Sequence, residues 1–153
     1  IKPPKIPVVI PIVKATIIPV PSAIVVAASS DSGTGPFLVV SSVKKEEFWL
    51  SRVECKNGDW ICTAGMSNPD ELTTKVSGVT CVFADDFLPI SAKHYFEEHN
   101  IPVHQNDLNA KSLLEVGLQF EANGQTVPPL DLQPMYPREP EAVRIWNSGQ
   151  SGQ

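Results

Sequence analysis

Asp31-Ser-Gly-Thr-Gly35 is the segment whose residue types and spacing best match a chemistry. The backbone amides of a glycine-rich turn can cradle a phosphate, and a leading aspartate can hold the accompanying metal. Such a loop needs a strand before it and a hairpin after it. Ile24 to Ala28 is the candidate strand, but no second phosphate loop and no adenosine pocket accompany it, so the residues favour a solvated Ser/Gly/Asp turn. Asp85-Asp86 has the composition of a cation site and is read as a solvated turn or a helix start, where carboxylates meet the positive end of the peptide dipoles. His94, His99 and His104 are spaced at i and i+5, which do not share a helix face, and are read as surface histidines rather than a metal set. Cys55, Cys62 and Cys81 lack the CxxC spacing of a zinc or redox site and are read as reduced, partly buried thiols. No serine lies in a Gly-x-Ser-x-Gly elbow. The residues therefore define no catalytic constellation, no cofactor site and no metal site.

The elements that would position such groups are legible from Gly35 onward. Phe37 to Ser41 reads as a strand and Glu47 to Cys55 as its neighbour, with Val43 to Glu46 as the turn. Asn57-Gly58 signals a tight hairpin into a third strand, Asp59 to Thr63. Asn68-Pro69-Asp70-Glu71-Leu72 places a capping residue before proline at the first helical position, with acids in the first turn. Val79 to Ala84 is a buried strand. Pro89 to His99 is a helix with Ile90, Ala92, Lys93 and Phe96 bracketing its inner face and Asn100 as its stop. Ile101 to Val103 is extended, and Asn109 caps a helix from Ala110 to Glu121. There Leu113, Leu114, Val116, Gly117, Leu118 and Phe120 form a broad apolar stripe. This order predicts an α/β (α+β) fold, a mixed sheet with flanking helices.

The chain has 153 residues, 42% hydrophobic and 19% charged, which suits one soluble domain with a real core. A formal charge of −5 opposes direct grip on nucleic acid, because neutralising phosphates takes clustered Lys and Arg. The apolar beginning imitates a secretory signal through Lys2, Lys5 and Ala23 to Ser30, but Pro7, Pro11, Pro19 and Pro21 interrupt it and Lys14 sits inside it. The same residues leave no run of about 18 apolar residues for a membrane span. Ile6 to Ile10 is expected as a short buried strand and Ile12 to Ile18 as a helical turn or two ended by Pro19. The expected organisation is 1–35 as a proline-rich linker and the end of a preceding domain, 36–122 as the α/β domain, and 123–153 as an extended tail.

The tail carries the most particular pattern. Pro134, Pro137 and Pro140 recur every three residues in Leu132-Gln-Pro-Met-Tyr-Pro-Arg-Glu-Pro-Glu-Ala-Val143, which rules out a helix interior or a central strand. Met135 and Tyr136 would be apolar anchors, with Arg138 and Glu139 at the solvent edge. This run resembles the closing segment of the bacterial TsaB family, the tRNA threonylcarbamoyladenosine biosynthesis proteins, and Pro134, Tyr136, Arg138, Glu139 and Pro140 carry the family's terminal motif. Ile6-Pro-Val-Val9 resembles the strand that closes the family's first domain. Val39 to Trp49, with Lys44, Lys45, Glu47 and Phe48, resembles its strand, basic turn and hairpin. Asn68 to Leu72 is similar to its Ser-Pro-Glu-Glu-Leu helix start. Ser42 departs from the family's Asp and Glu46 from its Gly, and the first domain with its Gly-rich segment has no counterpart here.

The resemblance implies the second domain of an actin-like (ribonuclease H-like) two-domain fold, present as a fragment and belonging to a Gcp-like, M22 peptidase-like group. It further implies a cytoplasmic, non-catalytic scaffold that supports a TsaD-like catalytic subunit in tRNA modification, with a TsaE-like ATPase as a further partner. ATP and metal are then expected on the partner subunit, tRNA is met only indirectly, and a homodimer stays open. Two competing readings are an actin-like ATP-binding kinase or ATPase fragment using Asp31, Gly33, Thr34 and Gly35, and a secreted interaction module.

Overall fold

The computed structural model describes residues 16–30 and 33–132. Expectations for Ile6 to Ile10, for Asp31 and for the terminal motif Pro134, Tyr136, Arg138, Glu139 and Pro140 lie outside these residues. Helix α1 (Ser22–Ala28) is followed by three consecutive strands, β1 (Phe37–Lys44), β2 (Glu47–Lys56) and β3 (Asp59–Ser67). A 3-10 turn over Pro69–Glu71 leads into the short α2 (Leu72–Lys75), then β4 (Cys81–Ala84), α3 (Ile90–Glu98), β5 (Val103–Gln105) and α4 (Ala110–Ala122). The sheet order is β3-β2-β1-β4-β5. β1 to β3 pair antiparallel, whereas β4 and β5 join parallel to β1 through helical crossovers. This is a mixed α/β sheet with flanking helices, the architecture that the alternation of elements predicts.

Local chemistry explains most of the joints. The β2–β3 turn is two residues long, with Lys56 facing Asp59. Asn57 at φ 54° and Gly58 at φ 90° both occupy the left-handed region that a turn matching the strand twist demands. The Asn68 side chain accepts from the Glu71 N–H and starts the 3-10 turn, and the Asn109 side chain accepts from the Ser112 N–H and starts α4. α3 closes on Asn100, which takes φ 53°.

Alternation along the strands sends successive side chains to opposite faces, giving two cores. On one face Phe37, Val39, Val53, Cys81 and Phe83 pack beneath α1 and α4, including Ile24, Val26, Val116 and Phe120. On the other face Leu38, Val40, Phe48, Leu50 and Val82 pack against Leu72, Ala92 and Phe96. Phe37, Phe48 and Phe96 are fully buried, and truncating any one to alanine costs about 3–5 kcal/mol.

Several expectations are corrected. Ile24 to Ala28 is helical rather than extended: Ala23 to Ala27 are all buried, four of them in the core shared with the sheet and α4, and tertiary packing overrides the strand preference of Ile24, Val25 and Val26. Within the described part of Ile12 to Ile18, Ile17 is extended and forms an antiparallel bridge with Val127, rather than a helical turn. In α3 Ala92 and Phe96 are buried, but Ile90 is exposed. In α4 the inward stripe is Ser112, Val116 and Phe120, while Leu113, Leu114 and Leu118 are exposed. No helix among the described residues is long and apolar enough to cross a membrane.

Candidate functional site

In an open α/β sheet, ligands meet the carboxyl ends of the parallel strands, so that edge is where a site belongs. β1 and β4 run in register from Phe37 beside Cys81 to Val40 beside Ala84. Just past this shared stretch, Asp85, the first residue after β4, meets Ser42, two residues beyond Val40. The Ser42 N–H donates to Asp85 Oδ2 at 2.6 Å and the Ser42 hydroxyl donates to Asp85 Oδ1 at 2.7 Å. The Phe87 N–H also donates to Asp85 Oδ1, at 2.9 Å, which closes an Asx turn into the β4–α3 connection.

Three donors therefore occupy a carboxylate with room for about four. Asp85 acts as a clamp between β1, β4 and the following turn. Asp86 is occupied as well, accepting from Gln105 Nε2 at 3.1 Å. Beside them the Asn106 N–H donates to the Ala84 carbonyl at 2.9 Å and its Nδ2 to the Val40 carbonyl at 3.3 Å, tying β5 across β4 to β1. The Asn106 Oδ1 is buried and has no hydrogen-bond partner among the described residues.

Two hollows open on this edge. One of about 710 Å³ is lined by Ile17 to Ser22, Ser41 to Val43, Trp49 and Leu132. A smaller one of about 390 Å³ lies between Ser42 to Lys45 and Phe87. The larger is walled mostly by apolar residues, and the smaller by two lysines with Ser42, Val43 and Phe87.

The other residues singled out in the sequence are dispersed. His94 and His99 lie on α3 and at its end, and His99 stacks on Tyr95 with ring centroids 4.1 Å apart while His104 lies against Phe83. Among the described residues no group of three or more His, Cys, Asp or Glu comes together as a metal set. Cys55 and Cys62 are half-buried and Cys81 is buried. Burial pushes the Cys62 thiol up from its ordinary value, against a smaller lowering by its hydrogen bond with Ser51.

The glycine loop is also put to structural use. The phosphate-loop reading requires a strand at Ile24 to Ala28, and that segment is α1. Within the loop the Thr34 carbonyl accepts from the Cys55 N–H at 2.8 Å. A Cβ on Gly35 would stand 3.0 Å from both Phe37 and the Val53 carbonyl. Gly35 is therefore a close approach of chain to sheet, and Thr34 continues the pairing with β2 on the β1 side, ahead of Phe37. The Ser42–Asp85 clamp is the feature that sequence reasoning missed; Ser42 lies within β1 and Asp85 just past the end of β4, a pairing visible only once β1 and β4 are known to be parallel neighbours.

The fold and this edge define a mixed α/β domain with three antiparallel and two parallel strands, its carboxyl edge closed by hydrogen bonds. No protein-family model matches the chain, and no curated protein matches it in sequence. In structure it is similar to a crystal structure of an uncharacterized protein with similarity to peptidase YeaZ, from Pseudomonas aeruginosa, with a TM-score of 0.53 and 13% sequence identity. The likeness covers 76% of this chain and 56% of that one, so the chain spans little more than half the length of its structural relative.

Proposed function

We propose that this chain is a non-catalytic scaffold or partner subunit for threonylcarbamoyladenosine modification of tRNA, supporting a TsaD-type catalytic subunit in the cytoplasm. The observation that carries the reading is the likeness in fold to a protein described as similar to YeaZ, the protein group to which the TsaB-like motifs also point. Those motifs lie in Val39 to Trp49, Asn68 to Leu72 and Pro134 to Pro140. The occupied carboxylate of Asp85 is in keeping with it, since a clamp needs no substrate. On this reading ATP and metal belong to the partner subunit, a TsaE-like ATPase joins the assembly, and the net charge of −5 leaves tRNA to the partner's surface.

The test is reconstitution. The chain is mixed with the TsaD-type subunit of its own organism, complex formation is followed by sedimentation, and threonylcarbamoyladenosine in ANN-decoding tRNA is measured by nucleoside mass spectrometry. A complex that raises modification supports the proposal. Absence of both complex and stimulation, with a folded chain, would overturn it.

A further inference from the structure

We infer that the free edge of β3 is a self-association surface, and that its occupant is β3 of a second copy of this chain, paired antiparallel about Thr63. This inference is independent of the tRNA-modification reading. β3 is the outermost strand of the sheet and pairs with β2 without a register break from Asp59 to Ser67. Among the described residues no strand lies on its other side, so alternate N–H and C=O groups along that edge face outward. Such an edge invites another strand unless guarded by lysine, proline, a bulge or shortness. The opposite edge, β5, is only three residues long and follows Pro102. β3 has nine residues and none of these guards, and its one charged side chain is Asp59 at its end.

The pattern of β3 is complementary to itself. Full overlap of two antiparallel copies places Thr63 opposite Thr63, a favourable cross-strand pair. Ile61, 43% exposed, then faces Gly65 of the second copy. That glycine has open space where a Cβ would stand and borders a hollow of about 360 Å³ over Leu38, Leu50 and Thr74. On the other face Cys62 meets Ala64, and Trp60 meets Met66, a sulfur–aromatic contact. Asp59 falls opposite Ser67, so the two carboxylates sit at opposite ends. A parallel pairing would instead set Asp59 beside Asp59 and Ile61 beside Ile61. Large residues against small ones and a separated charge favour one isologous arrangement, a continuous sheet across a two-fold axis.

The experiment uses sedimentation velocity on the full chain and on Thr63→Lys and Thr63→Glu. Thr63 is exposed, so both variants keep the fold, which circular dichroism verifies. The wild type is expected to show concentration-dependent dimer, each variant alone to self-associate at least tenfold more weakly because like charges face each other across the axis, and an equimolar mixture of the two to recover the dimer. A wild type that stays monomeric throughout its soluble range would overturn the proposal. So would a dimer indifferent to either substitution, which would locate the contact elsewhere, or a mixture that fails to recover.

Discussion

Ser42 and Asp85, 43 residues apart in sequence, are joined twice: backbone N–H and side-chain hydroxyl of the serine both donate to the one carboxylate, at 2.6 and 2.7 Å. The pair sits where β4 ends beside β1, which runs on to Lys44, and each donor loses its acceptor if the carboxylate is removed. Hydrogen bonds to a carboxylate contribute about 1.5–3 kcal/mol. Asp85→Asn turns an acceptor into a donor facing the Ser42 N–H. It should lower stability by about 2 kcal/mol, and Ser42→Ala, which keeps the backbone bond, by about 1 kcal/mol. Denaturant unfolding of both variants and the double mutant checks this. Additive losses would mean that the two residues are not one unit.

Glu71 offers a pH signature. Its carboxyl is held below the ordinary Glu range, first by the hydrogen bond from Lys75, then by that from Ser67 and by the charge of Lys75. Lys75 Nζ is 3.1 Å from Glu71 Oε2, and Ser67 Oγ donates to the same oxygen at 2.9 Å. A depressed folded pKa means a contribution present above the unfolded value, about 4.3, and lost as pH falls through the folded one. Melting temperature should therefore fall less steeply between about pH 5 and pH 3 for Glu71→Gln than for the wild type. Parallel profiles would remove Glu71 from the acid response.

How much of this was legible follows physical lines. The β1–β2–β3 meander could be read because Asn57-Gly58 fixes a two-residue turn and the flanking alternation fixes which face is buried. Helix α1 could not, because Ser22 to Ala28 has no capping side chain and no charge in either end turn, and a short apolar run is ambiguous between a strand and a buried helix. The Asp85-Asp86 reading as a turn survives in part, since Asp85 accepts from Phe87 two residues on. Its larger role depends on Ser42, and no local pattern encodes a contact across 43 residues.

Cys62 tests the thiol environment. It lies in the β3 row that packs against the α1–α4 core, opposite Val53 in β2. Burial raises its pKa, so the nucleophilic thiolate is scarcer than in the unfolded chain. Iodoacetamide labelling followed by peptide mass spectrometry should modify Cys62 at least about tenfold more slowly in the native protein than in denaturant. Equal rates would place this end of β3 outside the packed face.

α4 separates the apolar residues that hold the fold from those that do not. Pattern alone puts Leu113, Leu114, Val116, Leu118 and Phe120 on one broad stripe, but the helix rests on Val116 and Phe120 through α1 and the sheet. Leu114 is 62% exposed and Phe120 only 6%. Phe120→Ala removes a buried ring from the core that also holds Ile24 and Val116 and should cost about 3–5 kcal/mol. Leu114→Gln replaces a side chain already in water with one of equal helix preference, so its effect should stay within about 0.5 kcal/mol. Thermal or denaturant unfolding of the two single variants decides between these positions. If Leu114→Gln is as damaging as Phe120→Ala, α4 is rotated toward the stripe that periodicity suggests, and the contact between α1 and α4 described above is wrong.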